Sequence, residues 1–400
     1  MKLLLNGGGS TQQLKMTINK LNEIINHKKT ILYVPLAMDE VEHPYDSCYE
    51  WFKKQLVGID AVVVNMPRTF EEFASLNFDD YSAIFIGGGN TYKLLKGIKE
   101  NGIYNKILSY LNNDGIIVGC SAGSIIFGFD IDSCLVMDSN DVDLKDTKGF
   151  NVLNGKSVFA HYTNSKTEEI HKKYTNYLIQ YSIDKESVIA LPEEDTIFID
   201  DRDISFIGDK PYYIFNDGKI EKYYITPVIE TERLILKRAP LSDYLKVYEY
   251  DFTKLRNIND EFEFVKLDSK RVEGFEEIYE KSFDWIVYLK DGMKPISNIV
   301  ADREREDINS IELAFNTHPI YWRRGYTSEA IIGIMRFLFN NGYDNIICGY
   351  DEGNFKSKSI GEKLGFIPYE VKENSWVKDG VPITSYITIL SKERFADLYN

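Results

Sequence analysis

The sequence predicts two α/β-class domains in tandem, a parallel-sheet α/β domain followed by an α+β domain. Three observations predict this. Short apolar runs alternate with helix-length segments through residues 1 to 225, and several of those runs end in glycine turns. The pattern then breaks at Thr226-Pro227, where arginine usage also changes, from two arginines (Arg68 and Arg202) before the break to ten after it. Finally, each part carries its own glycine-containing strand-to-helix turn. The reading therefore assigns 1–225 to the first domain and 229–400 to the second, with little linker between them.

Composition narrows the function. Sixty-two Asp and Glu residues face 47 Lys and Arg, giving a net charge of −15, which argues against a nucleic-acid partner. Cys48, Cys120, Cys134 and Cys348 show neither paired nor metal-like spacing, so a reducing compartment and no metal are expected. The apolar start Met1 to Leu5 is too short for a signal peptide, and no run reaches about 18 apolar residues. A cytoplasmic protein without a membrane partner is the expectation, with homo-oligomers allowed.

The first domain opens with Lys2-Leu3-Leu4-Leu5, a strand that runs into Asn6-Gly7-Gly8-Gly9. A G-x-G-x-x-G dinucleotide fingerprint starting at Gly7 would need glycine where Gln12 stands. Residues 11 to 28 fit a helix, Ile31 to Val34 a strand, 45 to 57 an aromatic-rich helix, and Ala61 to Val64 another strand. Ala83 to Ile86 then lead into Gly87-Gly88-Gly89-Asn90 and a helix over Thr91 to Lys99. Glycines at such a junction let backbone N–H groups converge on an anion.

Ile116-Ile117-Val118 precede Gly119-Cys120-Ser121-Ala122-Gly123, and Ile125 to Phe127 start a helix. Strand, tight turn and helix with serine at the apex form a nucleophile elbow. A Cys120-centred motif would need glycine at Val118 and Ala122, so only Ser121 is in register. The amide of Ala122 and the 87–90 loop are candidates for an oxyanion hole. Among the histidines, His27, His43 and His171 lie in polar or charged surroundings, whereas Ser157 to Ala160 form a strand that delivers His161 to a turn. His161 is the expected base. Spacing leaves the orienting acid open among Asp130, Asp132, Asp138 and Glu193.

Taken together, Leu3 to Gly8, Gly87 to Asn90, Gly119 to Gly123 and His161-Tyr162-Thr163-Asn164 resemble the dipeptidase E family of serine peptidases, over about residues 1 to 225. The resemblance implies a flavodoxin-like, class I amidotransferase-like fold, Ser121 as nucleophile, His161 as base, and Gly88 with Ala122 at the oxyanion hole. It also points to Asp132 as the acid, with Glu193 after Leu191-Pro192 as the alternative. Relatives that prefer an N-terminal Asp carry an Arg after the catalytic His. This chain has none between Arg68 and Arg202, and only Lys172 or Lys173 stand near that place.

Asn216-Asp217-Gly218-Lys219 marks a hairpin that closes the first domain. Beyond the break, Glu230 to Lys237 alternate as a strand, Leu241 to Tyr250 and 275 to 282 read as helices, and Phe283 to Leu289, Pro295 to Ala301 and Ile311 to Asn316 as strands. Arg323-Arg324-Gly325-Tyr326-Thr327 then stand at the start of a helix, a phosphate-binding arrangement. A strand over Asn345 to Tyr350 follows, then Asn354-Phe355-Lys356-Ser357 and a helix closed by Gly365.

These features resemble the GNAT acetyltransferases, most closely the branch that acetylates ribosomal-protein N-termini, over about residues 229 to 396. The resemblance implies acetyl-CoA as co-substrate, its pyrophosphate on the amides of Arg323, Arg324, Gly325, Tyr326 and Thr327, cofactor contacts from Asn354 and Ser357, and Glu312 as base for an amine acceptor. Relatives usually carry Gly or Ala at the place of Thr327, whose added branch is expected to crowd the loop. The combined expectation is a hydrolase of small peptides or aminoacyl amides fused to an N-acetyltransferase. The alternative is an acetyltransferase joined to an inactive peptidase-like binding domain.

Overall fold

The computed structural model describes all residues except 28–29, 57–58, 60–62, 165, 249–279, 379 and 400. The chain forms two compact units, Met1–Ile225 and Thr226–Asn400.

In the first unit, β1 (Lys2–Asn6) is followed by α1 (Thr11–Ile24), β2 (Thr30–Val34), α2 (Tyr45–Gln55), β3 (Val64–Asn65), α3 (Phe70–Ser75), β4 (Tyr81–Ile86), α4 (Thr91–Glu100) and α5 (Ile103–Asn112). Then come β5 (Ile116–Cys120), the one-turn α6 (Ala122–Ile125), β6 (Ser157–Phe159), α7 (Glu168–Asp184), β7 (Val188–Ala190), β8 (Thr196–Asp200), β9 (Asp203–Ile207), β10 (Pro211–Asn216) and β11 (Lys219–Tyr224). The main sheet runs β3-β2-β4-β5-β1-β8-β9. Its first five strands are parallel, and β8 and β9 add an antiparallel edge.

Parallel strands covered on both faces should be apolar throughout, and every residue of β4 and β5 is buried. The period of two divides the core. Leu3, Leu5, Val34 and Ile86 belong to one cluster, whereas Leu4, Tyr33, Phe85 and Val118 belong to another. Helix α1 presents Leu14, Ile18 and Leu21 at helical spacing, and its start is set by Gln13, whose Oε1 accepts from Ser10 N at 2.7 Å. A second sheet, β11-β10-β7-β6, lies beside the first. Its hairpin turns at Asp217 and Gly218, both at positive φ (49° and 74°), as a two-residue turn of this type requires. The predicted strand over Ala61 to Val64 falls largely outside the described residues.

The second unit contains β12 (Ile229–Glu230), β13 (Leu234–Lys237), α8 (Leu241–Tyr248), β14 (Phe283–Leu289), β15 (Pro295–Arg305), β16 (Ser310–Thr317), α9 (Tyr326–Asn340), β17 (Asn345–Asp351), α10 (Phe355–Lys363), β18 (Ile367–Lys378), β19 (Val381–Ser391) and α11 (Lys392–Tyr399). The eight strands run β12-β13-β14-β15-β16-β17-β19-β18. Among the described residues of this unit only β16 and β17 pair in parallel, and their pairing stops at Leu313 and Cys348 while both strands continue. The helix predicted over 275 to 282 lies mostly outside the described residues.

One buried charge site bears on stability. Asp284 on β14 is 5% exposed, and burial pushes its carboxyl up to about 7, although Asn298 Nδ2 donates to it at 2.6 Å. Its folded-state value is raised. Between the ordinary carboxylate range and about 7 the unfolded chain is therefore ionised while the folded unit still holds its proton, and stability falls as pH rises. The opening equilibrium of β14 and β15 should rise toward about tenfold per pH unit across that window, measured by hydrogen exchange in the full chain. Asp284→Asn should remove the slope.

Candidate active sites

The first site lies at the carboxyl ends of β1, β2, β4 and β5, where an open α/β sheet offers a crevice. Ser121 caps β5 with φ 54° and ψ −114°, the strained apex expected of an elbow. Its two glycine neighbours are required by contact. A Cβ on Gly119 would sit 2.3 Å from Gly123 O, and one on Gly123 would sit 2.1 Å from Ile86 O. The turn is held from below by Asn6, whose carbonyl accepts from Ser121 N (3.2 Å) and Ser124 Oγ (2.7 Å).

His161 follows β6 at φ 57°, and its amide donates to Gly7 O at 3.0 Å. A Cβ on Gly8 would meet the imidazole at 2.2 Å, so the first glycine turn makes room for the histidine ring. Nε2 lies 2.8 Å from Ser121 Oγ, and Nδ1 lies 2.7 Å from Glu193 Oε1. A carboxylate at Nδ1 places the ring proton there and leaves Nε2 to accept from the serine hydroxyl. Glu193 is itself held, because Gln13 Nε2 donates to its Oε2 at 2.5 Å and its amide donates to Asn164 Oδ1 at 2.9 Å.

The carboxylate at His161 is thus Glu193, where the sequence reading chose Asp132. The Asp132 side chain is engaged elsewhere, accepting from Tyr92 Oη (3.0 Å) and Lys185 Nζ (2.8 Å) on α4's and α7's side. Asp130 is buried and bound to Lys148, and Asp138 accepts from the Thr91 amide and hydroxyl at the start of α4. Cys120 is also set aside chemically. Burial pushes its thiol up to about 12, so it stays protonated. Gly88 stands close to the nucleophile, since a Cβ there would lie 3.2 Å from Ser121 Cβ, and Ala122 is the residue that follows it. Lys172 and Lys173 are exposed on α7.

The second site forms where β16 and β17 part. Helix α9 begins beside the end of β16, with Arg323 (φ 61°) and Gly325 (φ 79°) shaping the approach and both Arg323 and Arg324 exposed. Thr327 Oγ1 lies 2.8 Å from Thr317 Oγ1, so its polar branch is spent on β16 and not on the loop. Glu329, in the first turn, accepts from Thr231 Oγ1, Arg233 N and Arg233 Nε, and Arg233 Nη1 donates to Arg324 O. Arg233 therefore braces the loop, a role with no local motif to announce it. Asn354 Oδ1 caps α10 by accepting from Ser357 N at 3.2 Å. Glu312 lies one residue before the last paired position of β16, with Arg303 Nη1 at 3.4 Å. Exposed amides at a helix start flanked by two arginines fit a pyrophosphate group.

A serine-histidine-glutamate arrangement on an α/β elbow, followed by an α+β unit with two parting parallel strands, defines a peptidase-type domain joined to an acyltransferase-type domain. The chain belongs to Peptidase family S51, whose profile matches residues 3–207, and its second unit carries an Acetyltransferase (GNAT) domain, matched over residues 233–367. A Peptidase E from Shigella flexneri serotype 5b is 22% identical over 213 residues, covering 52% of this chain and 88% of its own. An acetyltransferase (GNAT family) structure from Bacillus anthracis is 21% identical, covers 42% of this chain and 99% of its own, and superposes with a TM-score of 0.35. A ribosomal-protein-S5-alanine acetyltransferase structure from Vibrio fischeri is 17% identical, with 42% and 98% coverage and a TM-score of 0.34.

The two carboxylates are separable by experiment. Glu193→Gln should slow reaction of Ser121 with a fluorophosphonate by about 10²-fold or more, while Asp132→Asn should change it by no more than about twofold. Labelling rates followed by intact-protein mass spectrometry read both.

Proposed function

We propose that the chain is a two-activity enzyme of the cytoplasm. Its first unit hydrolyses a small peptide or aminoacyl amide, and its second transfers acetyl from acetyl-CoA to a primary amine. The observation that carries the hydrolase reading is the continuous line from Ser121 Oγ through the His161 ring to Glu193, at 2.8 and 2.7 Å. In this reading His161 Nε2 takes the proton of Ser121 as Oγ attacks the carbonyl carbon. The carbonyl oxygen, now negative, is received by the amides of Gly88 and Ala122. His161 returns the proton to the departing amine, and water releases the acyl group from Ser121 by the same route.

In the second unit the Arg323 to Thr327 segment would hold acetyl-CoA, with Asn354 and Ser357 at the neighbouring helix start, and the bound cofactor supplies an activated acetyl group. Glu312 accepts the proton of the acceptor amine, directly or through water, beside the opening between β16 and β17. Four free cysteines and the acidic composition support a reducing, intracellular setting. No helix among the described residues is long and apolar enough to cross a membrane.

A fluorophosphonate should label the wild-type chain and leave Ser121→Ala unlabelled. A wild-type chain that resists labelling would falsify the hydrolase reading and leave the first unit as a binding domain. For the transferase, Glu312→Gln should lower kcat on a panel of amines by about 10- to 100-fold with little change in the KM for acetyl-CoA. Cofactor binding without turnover of any amine by the wild type would contradict it.

A further inference from the structure

The cavity above Ser121 has a volume of about 570 Å³, and Ser121 and His161 line it together with the 87–89 glycines. Much of the remaining wall is aromatic and apolar, from Tyr33 on β2, Phe85 on β4, Trp51 and Cys48 on α2, and Met38 in the loop between β2 and α2. This wall is preorganised. Tyr33 stacks on Phe52 at 4.4 Å and 8°, and Phe52 packs on Phe85 at 4.6 Å.

The charge balance of the lining is one-sided. Besides His161, its ionisable groups are Glu42, His43, Tyr33 and the two thiols Cys48 and Cys120, and none is a lysine or arginine. Burial pushes the Tyr33 hydroxyl and both thiols up, so the three stay neutral near neutral pH. Two cations lie nearby without lining the cavity. Lys93 Nζ donates to the Met38 carbonyl, and Arg68 pairs with Asp46. Beside Glu42, the amides of Val41 and Glu42 hold the Asp39 carboxyl below the usual carboxylate range. A carboxylate entering this cavity would give up water, meet no lysine or arginine in the lining and face Glu42. An aromatic or branched apolar side chain would instead bury its surface against Trp51, Met38 and Cys48, which the packed Tyr33, Phe52 and Phe85 rings support from behind.

Resting on the hydrolase reading above, we propose that this cavity is a specificity pocket for an apolar, preferentially aromatic side chain next to the scissile amide, and that it rejects acidic ones. Trp51, Met38 and Cys48 supply the recognition surface, backed by the buried Tyr33 and Phe85 rings, and Glu42 repels carboxylates at the rim. The substrate class is then short peptides or aminoacyl amides with a bulky apolar residue, a class distinct from aspartyl peptides.

The test uses the full chain and two dipeptide series, X-Ala and Ala-X, with X as Phe, Leu, Ala or Asp, read as kcat/KM. Phe should exceed Asp by about 10²-fold in at least one series, and Asp should be the poorest member of both. Trp51→Ala should raise KM for the preferred Phe substrate by about tenfold, and Trp51→Phe should restore most of the loss. Because Trp51 is half-buried, the exposed Glu42→Lys provides a second variant, which should improve Asp substrates by about tenfold. The rate of fluorophosphonate labelling of Ser121 monitors whether each variant keeps an intact site. Equal or better turnover of Asp than Phe overturns the proposal while leaving the hydrolase reading in place, as does labelling without turnover of any dipeptide. No labelling of the wild type removes the hydrolase reading itself, and this inference with it.

Discussion

Asn6 is the residue on which the first site depends. It is fully buried at the end of β1, and its backbone oxygen holds the elbow through Ser121 N and Ser124 Oγ. Its side-chain oxygen accepts from Gly8 N at 2.8 Å, in the turn that makes room for the imidazole. Its side-chain nitrogen lies within 3.2 Å of Glu193 O, Asp195 O and the hydroxyls of Thr17 and Thr196. One buried asparagine thus ties the segments of Ser121 and Glu193 to the glycine turn that receives the His161 ring. In a dry interior such a network is rigid only because its members find partners.

The same interior tolerates charge selectively. Glu193 keeps two strong donors and some solvent, whereas Asp195, two residues on, is fully buried and held toward its neutral form by desolvation. Only a glycine fits beside it, since a Cβ on Gly208 would lie 1.9 Å from Asp195 Oδ1. Desolvation thus opposes a second negative charge two residues along the chain from Glu193. In the second unit burial likewise raises Asp284, to about 7, on the face of β14 that carries Ile286 and Tyr288.

Local chemistry was legible in the sequence, and long-range pairing was not. Ser121 is marked by the residues on either side of it, because the turn needs Gly119 and Gly123 for reasons of contact. The strands β4 and β5 are marked by unbroken apolar runs. Glu193 is 32 residues from His161, and it reaches the ring because β6 and β7 lie side by side in parallel with Phe159 opposite Ala190. Strand neighbourhood is the signal that singles it out from Asp132, and local periodicity does not report it. The antiparallel edge of β8 and β9 was missed for the same reason. In the second unit the arginine loop was visible, while its brace, Arg233, lies about 90 residues away and carries no motif. Thr327 was expected to crowd the loop, but the nearby Thr317 hydroxyl gives its polar branch another partner.

The place of β1 between β5 and β8 has a consequence for how the chain is made. Strand β1 is made well before both of its partners, residues 116–120 and 196–200. The strand must therefore wait for almost the whole first unit before its second edge is covered, a demanding order of assembly for vectorial synthesis. Until then its exposed edge is a target for chaperones or for wrong pairing. Once residue 200 has emerged, the segments of Ser121, His161 and Glu193 can gather around Asn6 before most of the second unit has been made. A ribosome stalled downstream, within the GNAT portion, would already display the assembled Ser121, His161 and Glu193 site.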